Sequence, residues 1–362
     1  MNVLESFVSE TMSLRIPKNQ GEKALTLLRS MGILNREYKV SRDQEYLYLP
    51  LTRELTPAEL GGLKRILSEF EVLAHKFPES AERPLKLFDL LEKKLPPYVL
   101  ASLPTAIDVV GDIAIVEVSP ELETYEMAIG EAIMKTDKKI ETVLEKSSAV
   151  GGVYRLRAFK TIGGQPKTET VHREYGCIFH VDLAKAYFSP RLSYEHSRVA
   201  SLVGPFETVL DMFAGVGGFS ILIAKKHEDV FVYAVDLNPD AYGLLRKNVL
   251  VNRVEARVEP VLRDARQIVN ERLIGVADRV IMNLPEKAVE YVDVACKALK
   301  PEGGVIHYYT FSDAPKPLEN AKSQLTEAVK ATNHRIENIS LGRIVRGIAP
   351  FAYQVVVDAK IK

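Results

Sequence analysis

Cysteine is scarce: 362 residues carry only 2, Cys177 and Cys296, far apart and without metal-ligand spacing. That argues against a disulfide scaffold, implies no metal site, and fits a reducing compartment. No apolar run reaches the roughly 18 to 20 residues that span a bilayer, so no membrane partner is expected. The amino terminus, Met1-Asn-Val-Leu-Glu-Ser, lacks the basic-then-apolar pattern of a secretory signal, and the expected location is cytoplasmic. Net charge is missing too, since 48 basic residues balance 48 acidic ones. This disfavours indiscriminate nucleic-acid binding, while basic side chains gathered on one surface would still suit an RNA partner. There is no internal repeat and no low-complexity tract. What remains, 46% hydrophobic and 27% charged, is the composition of packed domains, and the length suggests two or three of them.

One stretch organises the rest: Val209-Leu-Asp-Met-Phe-Ala-Gly-Val-Gly-Gly-Phe219. A short β-forming run ends at Asp211, a glycine-rich turn follows, and Phe219-Ser-Ile-Leu-Ile-Ala-Lys continues with helical character. That is the strand-turn-helix opening of a nucleotide-binding α/β unit. Gly215, Gly217 and Gly218 let the turn tighten and bring backbone amides close to a ligand. Their spacing is not the G-x-G-x-x-G of a dinucleotide site, which disfavours an NAD-dependent oxidoreductase. An acidic residue just before the turn suits a ligand that carries an ammonium group, such as S-adenosylmethionine. Val230–Val235 reads as a second strand ending at Asp236-Leu237, and Val258–Arg263 as a third ending at Asp264-Ala265. Each carboxylate taken singly is a reasonable helix cap. Three at the ends of successive strands, Asp211, Asp236 and Asp264, read better as one site. A fourth strand, Ala277–Met282, ends in Asn283-Leu284-Pro285, where an amide carbonyl is expected over the crevice.

Upstream, residues from about Thr11 to Glu79 read as a small α+β unit. Its strands are Met12–Ile16 and Glu45–Pro50, and its helix Gly21–Met31 precedes Gly32. A second helix opens on a capping box of Thr56, Pro57 and Glu59. Pro78, Pro84, Pro96 and Pro97 mark a boundary near 80–97. Beyond it come Ile107–Val118, one strand or two broken at Gly111, the amphipathic helix Glu126–Lys135, and strands at Thr142–Lys146 and Val153–Lys160. The last alternates apolar with basic residues, so Arg155, Arg157 and Lys160 face RNA or simply water. The hairpin-like run His172–Asp182 leads to Tyr187-Phe-Ser-Pro-Arg-Leu-Ser-Tyr-Glu195-His196, where acid, imidazole and aromatics gather just before the glycine turn. Further strands are expected at Gly303–Thr310 and Phe351–Asp358. The expected fold class is α/β, a Rossmann-type domain at 168–362 preceded by two small α+β domains at 1–85 and 86–167.

The glycine turn, Asp236, Asp264 and Asn283-Leu-Pro285 resemble a class I methyltransferase. Val110-Gly-Asp-Ile-Ala, Tyr187-Phe-Ser-Pro-Arg-Leu and Glu195-His196 resemble the archaeal and eukaryotic tRNA (guanine37-N1)-methyltransferase family, from about residue 95 to the carboxyl end. The resemblance implies S-adenosylmethionine bound by Phe213, Asp236, Leu237, Asp264, Ala265 and Asn283, with His196 near its methionine part. Tyr187, Asp211 and Gly215 complete the expected cofactor set. It further implies Glu195 as general base, Arg155 as the cation at guanine O6, and Asn283 with Pro285 holding the base. The implied partner is tRNA, met at the anticodon loop and the outer corner by a monomer that needs no metal. Alternatives left open are methylation of the tricyclic wyosine precursor, aminocarboxypropyl transfer in the same pathway, and a non-catalytic RNA-binding module.

Overall fold

A computed structural model describes residues 8–35, 37–78 and 86–362, so Pro84 of the expected linker lies outside them. Contacts divide the chain into two compact units, Met1–Asp89 and Leu90–Lys362. In the first, β1 (Val8–Pro17), β2 (Ser41–Arg42), β3 (Tyr46–Pro50) and β4 (Glu71–Pro78) form an antiparallel sheet in the order β2-β3-β1-β4. Helices α1 (Gly21–Ser30) and α2 (Pro57–Ile66) share its core of Leu14, Ile16, Leu28, Leu49 and Leu63. The capping box forms as expected: Glu59 N–H donates to Thr56 Oγ1 (3.4 Å) and Thr56 N–H to Glu59 Oε2 (2.8 Å).

Helix α3 (Leu87–Leu91) spans the division; α4 (Pro97–Leu100) follows in the second unit, then a four-stranded sheet. Its strands are β5 (Asp108–Val110), β6 (Ile113–Val116), β7 (Thr142–Lys146) and β8 (Phe159–Gly164), with α5 (Glu126–Thr136) crossing between the parallel pair β6 and β7. The segment around Gly111 is therefore two strands. The expected strand Val153–Lys160 is a turn until Phe159: Gly152 and Arg155 take positive φ values of 72° and 55°, and Gly151 and Leu156 exchange backbone hydrogen bonds of 2.9 and 3.0 Å. A left-handed residue breaks the two-residue alternation, which moves Arg155 from a sheet face onto a loop.

Next come the hairpin β9 (Glu169–Glu174) and β10 (Cys177–Asp182), helix α6 (Ser193–Leu202), and a seven-stranded sheet. In that sheet β11 (Thr208–Asp211), β12 (Phe231–Asp236), β13 (Val258–Leu262), β14 (Arg279–Met282) and β15 (Gly304–Asp313) run parallel; β16 (Ile336–Ala349) and β17 (Ala352–Ile361) form an antiparallel pair on its edge. The order is β13-β12-β11-β14-β15-β17-β16, a doubly wound sheet whose direction reverses between β11 and β14. Helices α7 (Gly218–Lys226) and α8 (Pro239–Asn252) share one core with α6, and α9 (Ala265–Ile268), α10 (Val292–Ala298) and α11 (Pro317–Lys330) share a second. Coverage on both faces explains why β11 and β14 are buried along nearly their whole length rather than at alternate residues. Val110, Ile113 and Leu144 of the smaller sheet join the α6–α8 core, so the middle and carboxyl-terminal parts pack as one unit.

Two buried asparagines on α8 fasten the β9–β10 hairpin to that helix. Asn248 accepts from His180 N–H (2.7 Å) and donates to the His180 and Val216 carbonyls (both 3.0 Å). Asn252 accepts from Ile178 N–H (2.9 Å) and donates to Ile178 O (2.7 Å). Four residues of helix rise about 6 Å and two of strand about 6.6 Å, so the pair of amides stands in for a neighbouring strand along β10. Asn248→Ala, which orphans several backbone groups at once, is expected to lower stability by about 2–4 kcal/mol in urea unfolding. A loss under about 0.5 kcal/mol, the size usual for an ordinary surface change, would mean the amide ladder is dispensable.

Candidate active site

The carboxyl ends of β11 to β14 open into a cavity at the point where strand order reverses, the usual ligand crevice of such sheets. Its walls include Tyr187, His196, Phe213, Gly215, Asp236, Leu237, Asp264, Ala265 and Asn283. Gly215 sits at φ 57°, a left-handed conformation that turns its amide inward. That amide donates to Asp236 Oδ2 at 2.7 Å, and Asn238 N–H donates to Oδ1 at 2.9 Å. Burial pushes the Asp236 carboxyl above its ordinary range, and these backbone donors oppose the shift. Gly218 is required by His196: a Cβ there would lie 2.6 Å from the imidazole Cε1. His196 Nδ1 lies 2.6 Å from Glu174 Oε1, and its ring meets Phe219 edge-on at 4.6 Å. Burial pushes Glu174 up, but the His172 and His196 imidazoles outweigh it and hold that carboxyl at about 2.

Asp264 caps α9 by accepting from Arg266 N–H at 2.8 Å while still lining the cavity, so cap and wall are one residue. Tyr291, absent from the sequence expectations, stands edge-on to Phe213 at 5.1 Å and completes that wall. Asp211 lies behind the turn, fully buried. Ser220 Oγ–H donates to its Oδ2 at 2.7 Å, and Oδ1 has no hydrogen-bond partner. Burial pushes its carboxyl up to about 6; the Ser220 bond pulls it back and the Asp236 charge adds to the rise.

A second chamber adjoins the first through Arg155, Tyr187, Phe188, Ser189 and Glu286, and adds Lys146, Arg157, Arg191 and Arg346 to its lining. The Arg155 guanidinium lies 4.7 Å from the Tyr187 ring centroid and 3.6 Å from Glu286 Oε1. Lys160, grouped with Arg155 in the sequence, pairs instead with Glu126 at 2.5 Å. The Asn283 carbonyl, expected over the crevice, accepts from Gln354 Nε2 at 3.4 Å.

Glu195, Asp211 and Pro285 are not brought to the wall of either chamber. Glu195 is 1% exposed in the first turn of α6. Its Oε2 accepts from Tyr309 Oη–H (2.8 Å) and Arg198 Nε–H (2.9 Å), and its Oε1 accepts from Arg343. Arg198 continues to Asp358 Oδ2 (2.5 Å), Asp358 to His307 Nδ1 (2.7 Å), and His307 Nε2 to Arg279 Nη1 (2.8 Å). A guanidinium only donates, so Nε2 accepts, the proton sits on Nδ1, and His307 is neutral. Burial pushes its pKa down, in accord with that state. Burial and then the Glu195 charge push the Tyr309 phenol well up, so it stays a donor. Of these partners only Arg198, three residues beyond Glu195 on one helix face, carries a sequence signal.

Family models match three consecutive segments: the tRNA methyltransferase 5 N-terminal domain at residues 13–59, the TYW2 N-terminal domain at 87–168, and the TRM5/TYW2 methyltransferase domain at 170–337. The chain is 36% identical over 351 residues to the tRNA (guanine(37)-N(1))-methyltransferase Trm5b of Pyrococcus abyssi, covering 97% of this chain and 99% of the relative. A crystal structure of Trm5b from that organism superposes with a TM-score of 0.71 at 35% identity, over 97% of this chain and 99% of that one. A complex of aTrm5 and tRNALeu gives 0.67 at 35% identity, over 97% and 100%. A tRNA(Phe) (4-demethylwyosine(37)-C(7)) aminocarboxypropyltransferase of Methanocaldococcus jannaschii is 34% identical over 253 residues, 70% of this chain and 96% of the relative.

The unpartnered Asp211 oxygen has a measurable consequence. Between pH 3.8 and about 6 the folded chain keeps a proton that the unfolded chain has lost, so this residue's contribution to stability falls as pH rises through that window. Asp211→Asn should remove that slope and make the ligand-free chain more stable by up to about 3 kcal/mol at pH 7.5. Urea unfolding at pH 4, 5, 6 and 7.5 measures it; equal stabilities of the two chains at every pH would mean Asp211 is not strained.

Proposed function

We propose, since the chain belongs to the archaeal and eukaryotic tRNA (guanine37-N1)-methyltransferase family, that it transfers a methyl group from S-adenosylmethionine to N1 of guanosine 37 in tRNA. The observation that carries the reading is the pair of joined chambers, one floored by a carboxylate-bearing glycine turn and one walled with arginines and aromatics. The turn suits the cofactor. Asp236 keeps lone pairs for ribose hydroxyls beyond its two backbone donors, and the unpartnered oxygen of Asp211 supplies a negative field behind the turn for an ammonium group. Phe213, Leu237, Asp264, Ala265 and Asn283 would enclose the adenosine part and His196 the methionine part. When bound, S-adenosylmethionine supplies a methyl carbon activated by its sulfonium.

The chain's own residues do the rest. Guanine N1 carries a proton and becomes nucleophilic only as that proton leaves; the group proposed to take it is the Glu195 carboxylate, once a rearrangement brings it to the chamber wall. Charge then moves to O6, where the Arg155 guanidinium stabilises it. Asn283 would hold the base, with Pro285 two residues on behind the cavity wall, and Tyr187 offers a face to stack on. Extruding position 37 from its loop costs a few kcal/mol, repaid by these contacts. In the arrangement described above Arg343 occupies Glu195 Oε1, so this reading requires Arg343, 34% exposed and lying over the Tyr194 ring, to give way. The proposal extends to organisation: a three-part monomer of 1–85, 86–167 and 168–362, working in the cytoplasm without a metal ion, its leading part docking on the tRNA outer corner. The match over 97% of this chain favours methyl transfer over aminocarboxypropyl transfer, whose relative covers 70%.

Incubation with methyl-labelled S-adenosylmethionine and unmodified tRNA, followed by nucleoside analysis, should yield 1-methylguanosine; an aminocarboxypropyl product, or none, sinks the proposal. Glu195→Gln should lower kcat by about 10²–10⁴-fold and flatten its pH dependence while cofactor affinity holds. Unchanged turnover would remove Glu195 from the mechanism. A chain beginning at Lys86 should still methylate an anticodon stem-loop but lose its preference for whole tRNA, and an unfolded product would misplace the boundary.

A further inference from the structure

Arg346 lies on β16, outside the glycine turn and the strand-end carboxylates, yet its guanidinium joins the 187–189 segment of the cavity wall to β17. Its Nη2–H donates to Tyr187 Oη at 2.8 Å, its Nη1–H to Ser189 Oγ at 2.9 Å, and its Nε–H to Gln354 Oε1 at 2.9 Å. Gln354 faces Arg346 across the β16–β17 ladder, and a register shift between Ile344 and Arg346 falls just before that pair. Such bulges re-aim side chains. Gln354 is 1% exposed, and its Nε2 reaches Asn283 Oδ1 at 3.4 Å.

The direction of this chain of bonds is not free. A guanidinium has no acceptor, so the oxygen of the Gln354 amide must face Arg346 and its NH2 must face Asn283. Asn283 therefore turns its carbonyl toward Gln354, which leaves the Nδ2 donors as the part of its amide free for a ligand in the cavity it lines. Arg155 offers only donors as well, and it rests on the Tyr187 ring whose hydroxyl Arg346 holds. Two donor groups select an acceptor-bearing purine edge. Guanine presents O6 and N7 there, whereas adenine replaces O6 with an N–H2 group that would oppose them.

We propose that Arg346 and Gln354 are positioning residues that set which face of the Asn283 amide meets the substrate, and so help select guanine over adenine; this rests on the methyl-transfer reading above. Gln354→Glu inverts the relay while preserving the pair with Arg346. A carboxylate oxygen then opposes the Asn283 carbonyl, and the amide turns over to donate to it.

The test uses the full chain with unmodified tRNA and S-adenosylmethionine. Gln354→Glu should lower kcat/KM for tRNA by about 10- to 100-fold. In an Asn283→Ala background the same change should cost nothing further, an outcome that a merely structural role for Gln354 would not produce. Arg346→Lys, a point charge that cannot serve three acceptors at once, should weaken kcat/KM in the same direction. A crystal structure of the Gln354→Glu chain reads the relay without substrate: residue 354 should approach Asn283 Nδ2 to about 2.9 Å. The inference is overturned if kcat/KM stays within twofold, if the loss is the same on Asn283→Ala, or if the Asn283 carbonyl still faces residue 354. A wild-type chain that forms no 1-methylguanosine sinks the functional reading instead, and the crystal structure still decides the relay.

Discussion

A carboxylate withdrawn from water survives only where fixed dipoles replace the lost solvation, and at Asp236 the Gly215 amide provides one of them. The 2.7 Å bond exists because Gly215 takes a left-handed φ of 57°, a conformation that a side chain would strain. From that contact the rest of the crevice follows. The turn is pulled toward the end of β12, α7 begins immediately behind it, and His196 fits against Gly218 where any Cβ would collide. Asp211, just before the same turn, is fully buried with one oxygen unpartnered, and burial pushes its carboxyl up to about 6.

A second constraint runs through the antiparallel edge of the sheet. Strands β16 and β17 contribute Arg343, Arg346, Gln354 and Asp358, and β15 contributes His307 and Tyr309. These six side chains lie either in the buried ion-pair chain around Glu195 or in the relay that reaches Tyr187 and Asn283. Buried pairs of this kind are poor sources of net stability, because desolvation offsets their attraction. Their effect here is geometric. They hold a glutamate, a tyrosine and an asparagine from three separate segments in single orientations, at positions where unpaired groups would be costly.

The parts of the architecture that local patterning encodes were legible in the residues. Runs of apolar residues ending in Asp211, Asp236 and Asp264, separated by helical periodicity, specify a parallel sheet with ligand groups at its carboxyl edge. The capping box at Thr56 and the break at Gly111 follow from backbone rules that act within four residues. Arg155 shows the limit. Alternation from Val153 to Lys160 has the period of a strand, but the left-handed residues at Gly152 and Arg155 fold it into a turn, and apolar–polar periodicity carries no φ.

What the sequence determined by itself is the class of chemistry: a glycine turn with flanking carboxylates, a conjunction of Tyr187, Glu195 and His196 beside it, and acidic residues at the ends of successive strands. What only the tertiary structure decided is how those groups are held. Asn248 and Asn252 bind a hairpin some seventy positions earlier in the chain, Arg343 occupies Glu195, and Gln354 turns the Asn283 amide. Each of these contacts joins residues 68 to 148 apart. Local propensity acts over a few residues, whereas the orientation of a buried polar group is set by whichever distant donor or acceptor the packed chain brings against it.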